Sequence, residues 1–194
     1  MKKWEDGKQG EIFLRHAEKC LGRPKQTQAF EFDGDEIPTI QVAEHNMIRG
    51  AKMFSTLGLS WYIDVEGRMA ELFVPVEGEF DVQKFQKFIS QISASIITNK
   101  FPLRSGGMLQ PIDEIFPEFC KEYDKNGVYF SVNEQNPPGF NFPPEGKGSL
   151  IFLQALFITN SEVDFILLNG SGAFESALEQ HNVDPVTLRR KSLF

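Results

Sequence analysis

The chain has 194 residues, with 27 Asp and Glu against 20 Lys and Arg, a formal net charge of −7 and 41% hydrophobic residues. That composition excludes a fibrous or wholly disordered protein, and the length suffices to bury a core without disulfide staples. Only residues 1–30 are net basic and no basic stripe occurs, which excludes nucleic acid as the main partner; residues 31–99 carry eleven acidic and five basic side chains, which favours a basic one.

The chain opens Met1-Lys2-Lys3-Trp4 and continues Glu5-Asp6-Gly7-Lys8 instead of an apolar run, so no secretory signal is expected. No segment reaches the roughly 18 apolar residues that a membrane span requires. Ile12, Phe13, His16, Ala17, Cys20 and Leu21 recur at helical spacing and predict a helix from about Gly10 to Leu21, stopped by Gly22 and Pro24. Cys20 and Cys120 lie a hundred residues apart with no metal spacing, as expected of a reduced, cytoplasmic protein.

Asp33-Gly34, after Phe30 and Phe32, reads as a turn between two strands. Ile40–Ala43, Met53–Leu57 and Met69–Val74 are the next strands. Asp81 caps a long helix to about Asn99, with Phe85, Phe88, Ile89, Ile92 and Ile96 on one face. Pro111 is read as starting a short helix that Pro117 interrupts. Val128–Val132 is a strand, and Asn133–Gly148, with Pro137-Pro138-Gly139 and Pro143-Pro144 around Phe140 and Phe142, is an exposed loop. Leu150–Ile158 is apolar at every position but Gln154 and belongs mid-sheet. Glu162–Leu168 suits a helix or a strand equally. Ser171–His181 is helical, with Phe174, Ala177, Leu178 and His181 on one side.

Chemical motifs are incomplete. Asn169-Gly170-Ser171-Gly172 has the local order of a dinucleotide turn, but Glu175 stands where a third glycine is needed and too little chain follows. Ser60 in Gly58-Leu59-Ser60-Trp61-Tyr62 has the setting of a hydrolase elbow, but Tyr62 replaces the glycine that lets it bend. His16 and Cys20, one helical turn apart, are too few for a metal site, and His45 and His181 lack partners at a diagnostic spacing. Asp33, Asp35 and Glu36 lack the remaining ligands of a calcium loop. No catalytic residue, cofactor or metal is therefore expected, and no spacing singles out a carboxylate pair for glycoside cleavage.

Taken in order, Phe54-Ser55-Thr56-Leu57-Gly58-Leu59-Ser60 and Glu71-Leu72-Phe73-Val74-Pro75 resemble the core signature of the suppressor-of-fused family. Leu150–Thr159 resembles that family's central strand, Glu162 its following acidic residue, Asn169-Gly170 the lead into its last helix, and Asp184-Pro185 through Arg190-Lys191-Ser192 its closing stretch. Phe101–Gln110 departs from the pattern, for it holds neither the tryptophan nor the His-containing motifs usual there. The resemblance covers residues 27–194, with residues 1–26 as an N-terminal helix and connector of the same domain. It implies an α/β fold of the α+β type: a central mixed, largely antiparallel sheet flanked by helices.

The resemblance further implies a protein-binding domain that is not an enzyme. Animal members of the family are two-domain proteins that hold a peptide as an added strand; this chain matches only the first domain. Compact bacterial members are associated with polymorphic toxin systems as immunity proteins, so the expected partner is a protein, such as a basic toxin domain. A regulatory or scaffold module binding a peptide by strand addition is the alternative, and a small serine hydrolase using Ser60 a third reading. The candidate partner-binding residues are Trp61, Tyr62, Asp64 and Glu66 after the signature strand, with Phe140 and Phe142 in the proline loop. Aromatic anchors and steering carboxylates suit that task. The oligomeric state is left open.

Overall fold

In a computed structural model of the chain, the described residues are 8–32, 39–48, 50–65, 68–132 and 150–194. The clearest local signals are realised as expected. Helix α1 (Lys8–Leu21) closes on Gly22, which adopts φ 79° and donates to the Glu18 carbonyl at 2.8 Å. In α2 (Val82–Thr98), Asp81 accepts from the amides of Gln83 and Lys84 at 3.0 and 3.1 Å, satisfying two of the helix's orphan donors, and all five residues of the apolar stripe are buried.

The strands form one mixed sheet. They are β1 (Gln26–Phe30), β2 (Ile40–Ile48), β3 (Ala51–Leu57), β4 (Asp64–Val65), β5 (Arg68–Val76), β6 (Met108–Leu109), β7 (Gly127–Ser131) and β8 (Leu150–Ile158). Their order in space is β1-β2-β3-β5-β8-β7-β6, and β4 pairs with the start of β5. Among the described residues every pairing is antiparallel except β5 with β8, which runs parallel from Met69 opposite Leu150 to Phe73 opposite Gln154.

Strand β8 is buried on both faces, which accounts for its unbroken apolar run. Ile151, Leu153, Ala155 and Phe157 look toward α2 and α3 (Pro117–Tyr123), whereas Phe152 lies under α1, and Leu156 and Ile158 lie under α4 (Asn160–Asn169) and α5 (Ser171–Gln180). The surplus of phenylalanine collects on the first of these faces. Phe85, Phe88, Phe119 and Phe157 have ring centroids 4.9 to 6.0 Å apart in every pairing, the separation at which tilted and edge contacts add to plain burial.

Three expectations are corrected and one is settled. Pro117 does not interrupt a helix; it opens α3 at the first helical position, where its missing N–H costs nothing. Pro111 starts no helix: the Ile112 carbonyl accepts from the Ile115 and Phe116 amides at 3.1 and 3.0 Å, a single turn that goes no further before α3. His181 caps the end of α5 and is exposed, so the buried side of that helix is Phe174 and Leu178. Glu162–Leu168, open between two readings, is helical: Thr159 and Glu162 form a reciprocal capping box at the start of α4. The Asp33-Gly34 turn, with Asp35 and Glu36, and the whole of the Asn133–Gly148 loop, Phe140 and Phe142 included, lie outside the described residues.

Candidate functional site

The site is built on a buried carboxylate. Glu71, in mid β5, is 1% exposed and receives hydrogen bonds from five donors, one in β3 and four in the segment that links β3 to β4. Thr56 Oγ1 and Ser60 Oγ each donate at 2.6 Å; the amides of Gly58, Ser60 and Leu59 donate at 2.9, 3.1 and 3.3 Å. Thr56 Oγ1 in turn accepts from the Leu72 amide at 2.8 Å. Burial pushes the Glu71 carboxyl above its ordinary value, and the surrounding donors pull against that rise. Gly58 is required at the turn: its φ is 116°, and a Cβ there would stand 2.9 Å from the Thr39 carbonyl oxygen.

This staple fixes a short 3-10 turn, Leu59–Trp61, whose inner residues Leu59 and Ser60 are buried. The next two side chains point the other way. Trp61 is 53% exposed and Tyr62 41% exposed, so two aromatics project from a backbone that cannot readily rearrange. Asp64 follows at once in β4, opposite Met69. Trp61, Tyr62 and Asp64 are thus brought to one corner of the sheet, while Glu66, Phe140 and Phe142 lie outside the described residues. Glu71 was legible only as a letter of a family signature; its five donors come from residues 11 to 15 positions away, and only the strand register places them around it.

The C-terminal half of the resemblance is also a buried carboxylate. Glu162 is fully buried, takes both terminal nitrogens of Arg190, the second at 2.9 Å, and accepts from the amides of Thr159 and Leu193 at 2.9 and 3.3 Å. Burial alone would raise its carboxyl; the hydrogen bonds and charge of Arg190, the Thr159 amide and the charge of Lys125 hold it below the ordinary value. Lys125, 1% exposed, donates to the Arg190 carbonyl at 3.3 Å. Its burial, with the Arg190 charge beside it, pushes its ammonium down to about 8 against the pull of Glu162 and Asp124.

Other candidates resolve into structure. The Ser60 hydroxyl is spent on Glu71, which leaves it oriented as a donor to a carboxylate and not toward a histidine. His45 donates from Nδ1 to the Gly22 carbonyl at 3.1 Å, so its Nε2 accepts from Ser55 Oγ at 2.9 Å; burial lowers its pKa against the Gly22 bond and the Glu18 charge, and the ring is a neutral core linker. His16 Nε2 lies 3.8 Å from Cys20 Sγ, and burial raises that thiol; Cys120 is raised to about 11, so neither sulfur is an activated nucleophile. Residues 165–169 are helical, which removes the strand that a dinucleotide turn at Gly170 would need. Among the described residues no group of His, Cys, Asp and Glu is placed to hold a metal, and no helix is long and apolar enough to cross a membrane.

The comparisons with known proteins point one way. No curated protein matches the chain by sequence. Among solved structures, the chain resembles a SUFU homologue of Neisseria gonorrhoeae FA 1090, at TM-score 0.72 and 14% identity over 95% of this chain and 96% of that one. It also resembles a chain of the Sufu–Fu complex, at TM-score 0.66 and 12% identity over 95% and 91%, and Drosophila Suppressor of Fused, at TM-score 0.62 and 14% identity. It covers about half, 51%, of that Drosophila chain. At such identities these likenesses show the fold. The model of the family described as Suppressor of fused protein (SUFU) matches residues 33–191, a span that contains both the Glu71 and the Glu162 staples, and the chain belongs to that family.

Proposed function

We propose that the chain is a non-catalytic protein-binding domain whose docking site is the Trp61–Tyr62 corner, and that it acts in the cytoplasm as an immunity protein against a basic toxin domain. The observation that carries this reading is the exposure of Trp61 and Tyr62 on a backbone pinned by Glu71. Large aromatics on a preorganised turn give contact area with little ordering cost, which is what binding hot spots need. Asp64, and Glu66 and the loop aromatics Phe140 and Phe142 named from sequence, would complete the surface. The net charge of −7 favours encounter with a cationic partner. The likeness to the Neisseria homologue over nearly its full length supports the compact type, and one similar structure is itself a complex with a protein, Fu.

The test is calorimetric titration of the purified chain with the C-terminal domain of a secreted protein encoded in the adjacent reading frame, alongside protection of cells expressing that domain. Tight binding and protection support the reading; absence of both removes the immunity role and leaves the fold untouched. A second reading rests on β1, which ends the sheet, carries no charge from Gln26 to Phe30 and is exposed along most of its length. Such an edge can accept a partner's strand. A peptide library that returns no extended binder protecting the amides of residues 26–30 from exchange would sink it.

A further inference from the structure

The last turn of helix α4, Phe165 to Leu168, is apolar, whereas the helix also carries Asn160, Ser161, Glu162, Asp164 and Asn169. Val163 and Ile166 face the sheet, and Phe165 is covered by Phe194, whose ring lies parallel to it at 3.7 Å. The remaining side holds Leu167 and Leu168, which are 63% and 83% exposed. Large apolar side chains left bare side by side, beyond the stripe that faces the core, mark an association surface. Neither residue belongs to the Trp61 corner.

Charge selects the occupant. From Thr159 to Leu188 there is no Lys or Arg, whereas Asp164, Glu175, Glu179 and Asp184 are exposed and Glu162 is already paired with Arg190. The tail that docks on the first turn of α4 adds Lys191 between Arg190 and Ser192, so the surface is predominantly acidic, and such a surface disfavours an anionic membrane or a nucleic acid and attracts cations. In the first turn of α5, Gly172 has nothing within 4 Å of where a side chain would begin, so that turn is open. We propose that the α4–α5 hairpin is a second docking surface, distinct from the Trp61 corner, for a cationic amphipathic segment of a partner protein, with Leu167 and Leu168 as its apolar anchors.

The test is an NMR amide titration of the full chain with a synthetic 14-residue helical peptide of leucine and lysine in amphipathic spacing, and with its leucine–glutamate counterpart. The expected result is shifts concentrated between residues 163 and 176 for the lysine peptide, none for the glutamate peptide, and about tenfold weaker binding for Leu167→Ser/Leu168→Ser, as loss of a hot-spot pair predicts. Both leucines are exposed, so the variant should keep its melting temperature; Leu168→Gln serves if it does not. Trp61→Ala should leave the titration unchanged, which separates this surface from the proposed immunity site. Shifts located elsewhere, binding unaffected by the serine or glutamine variants, equal binding of the glutamate peptide, or a concentration-dependent dimer abolished by those variants would overturn the proposal, the last by assigning the patch to a second copy.

Discussion

Arg190 reaches Glu162 with both terminal nitrogens, and this pair ties the end of the chain to the first turn of α4. Around it the tail is bound along its length: Glu77 and Thr187 form a parallel bridge, Leu188 is buried, and Arg189 pairs with Glu122 at 2.8 Å. The exposed Arg189 pair adds little. The buried one is different, because removing either partner strands a charge inside the protein. Arg190→Ala should cost about 3–5 kcal/mol by urea unfolding, with Arg189→Ala within about 1 kcal/mol of wild type.

The Glu71 staple makes a second stability prediction. Glu71→Ala leaves three amides and two hydroxyls without their acceptor and should cost at least about 3 kcal/mol, while Ser60→Ala, which removes one charge-assisted bond, should cost about 1.5–3 kcal/mol. Equal stability of Glu71→Ala and wild type in chemical denaturation would contradict the geometry.

The two carboxylates respond to acid in opposite senses. Glu162 is held below its ordinary value of 4.5, so its stabilisation is complete above that pH and is lost as pH falls through the folded value. Glu71 is raised above 4.5, so its contribution is complete below that pH and shrinks as pH rises through the folded value. Unfolding midpoints between pH 3 and 7 should therefore show the wild-type advantage over Glu162→Gln narrowing toward acid, and that over Glu71→Gln widening.

Lys125 predicts a change on the alkaline side. Its ammonium, depressed from 10.5 to about 8, is a buried cation that the folded state releases first. The unfolded chain binds more protons between those two values, so stability relative to Lys125→Met should rise as pH climbs from 8 to 10. A flat difference across that window would show that the charge is better compensated than its surroundings imply.

Trp61→Ala and Tyr62→Ala should leave thermal stability within about 0.5 kcal/mol, as exposed substitutions do. Each should weaken a partner bound at this corner by about 2 kcal/mol or more if it is an anchor. Calorimetry with the partner proposed above, run beside thermal melts, reads both.

The helix α2 and the strand β8 were legible because their signals are local: a capping aspartate before an i, i+3, i+4 stripe, and an apolar run too long to alternate. At α4 the signal is local too, since Thr159 three residues before Glu162 spells a capping box. Pro117 is ambiguous in sequence because a proline looks alike as a helix breaker and as a helix opener. The signature around Thr56, Gly58 and Ser60 pointed to the right family but not to its reason. That reason is a strand register setting Glu71 beside the turn, and register is not written in any one segment. Exposure of Trp61 was open for the same cause, because buried and surface aromatics spell alike.

The parallel pairing of β5 with β8 has a kinetic consequence. The strands on either side of it are joined by antiparallel pairings between near or moderately spaced segments, but Met69 meets Leu150 only after α2, α3 and two strands have been threaded between them. Loop-closure entropy and contact order place such a contact late. Until β8 slides in beside β5, the outer edge of β5 is bare, and the Phe157 ring is missing from the aromatic cluster of α2 and α3. The nascent protein thus spends its most adhesive interval waiting for one strand.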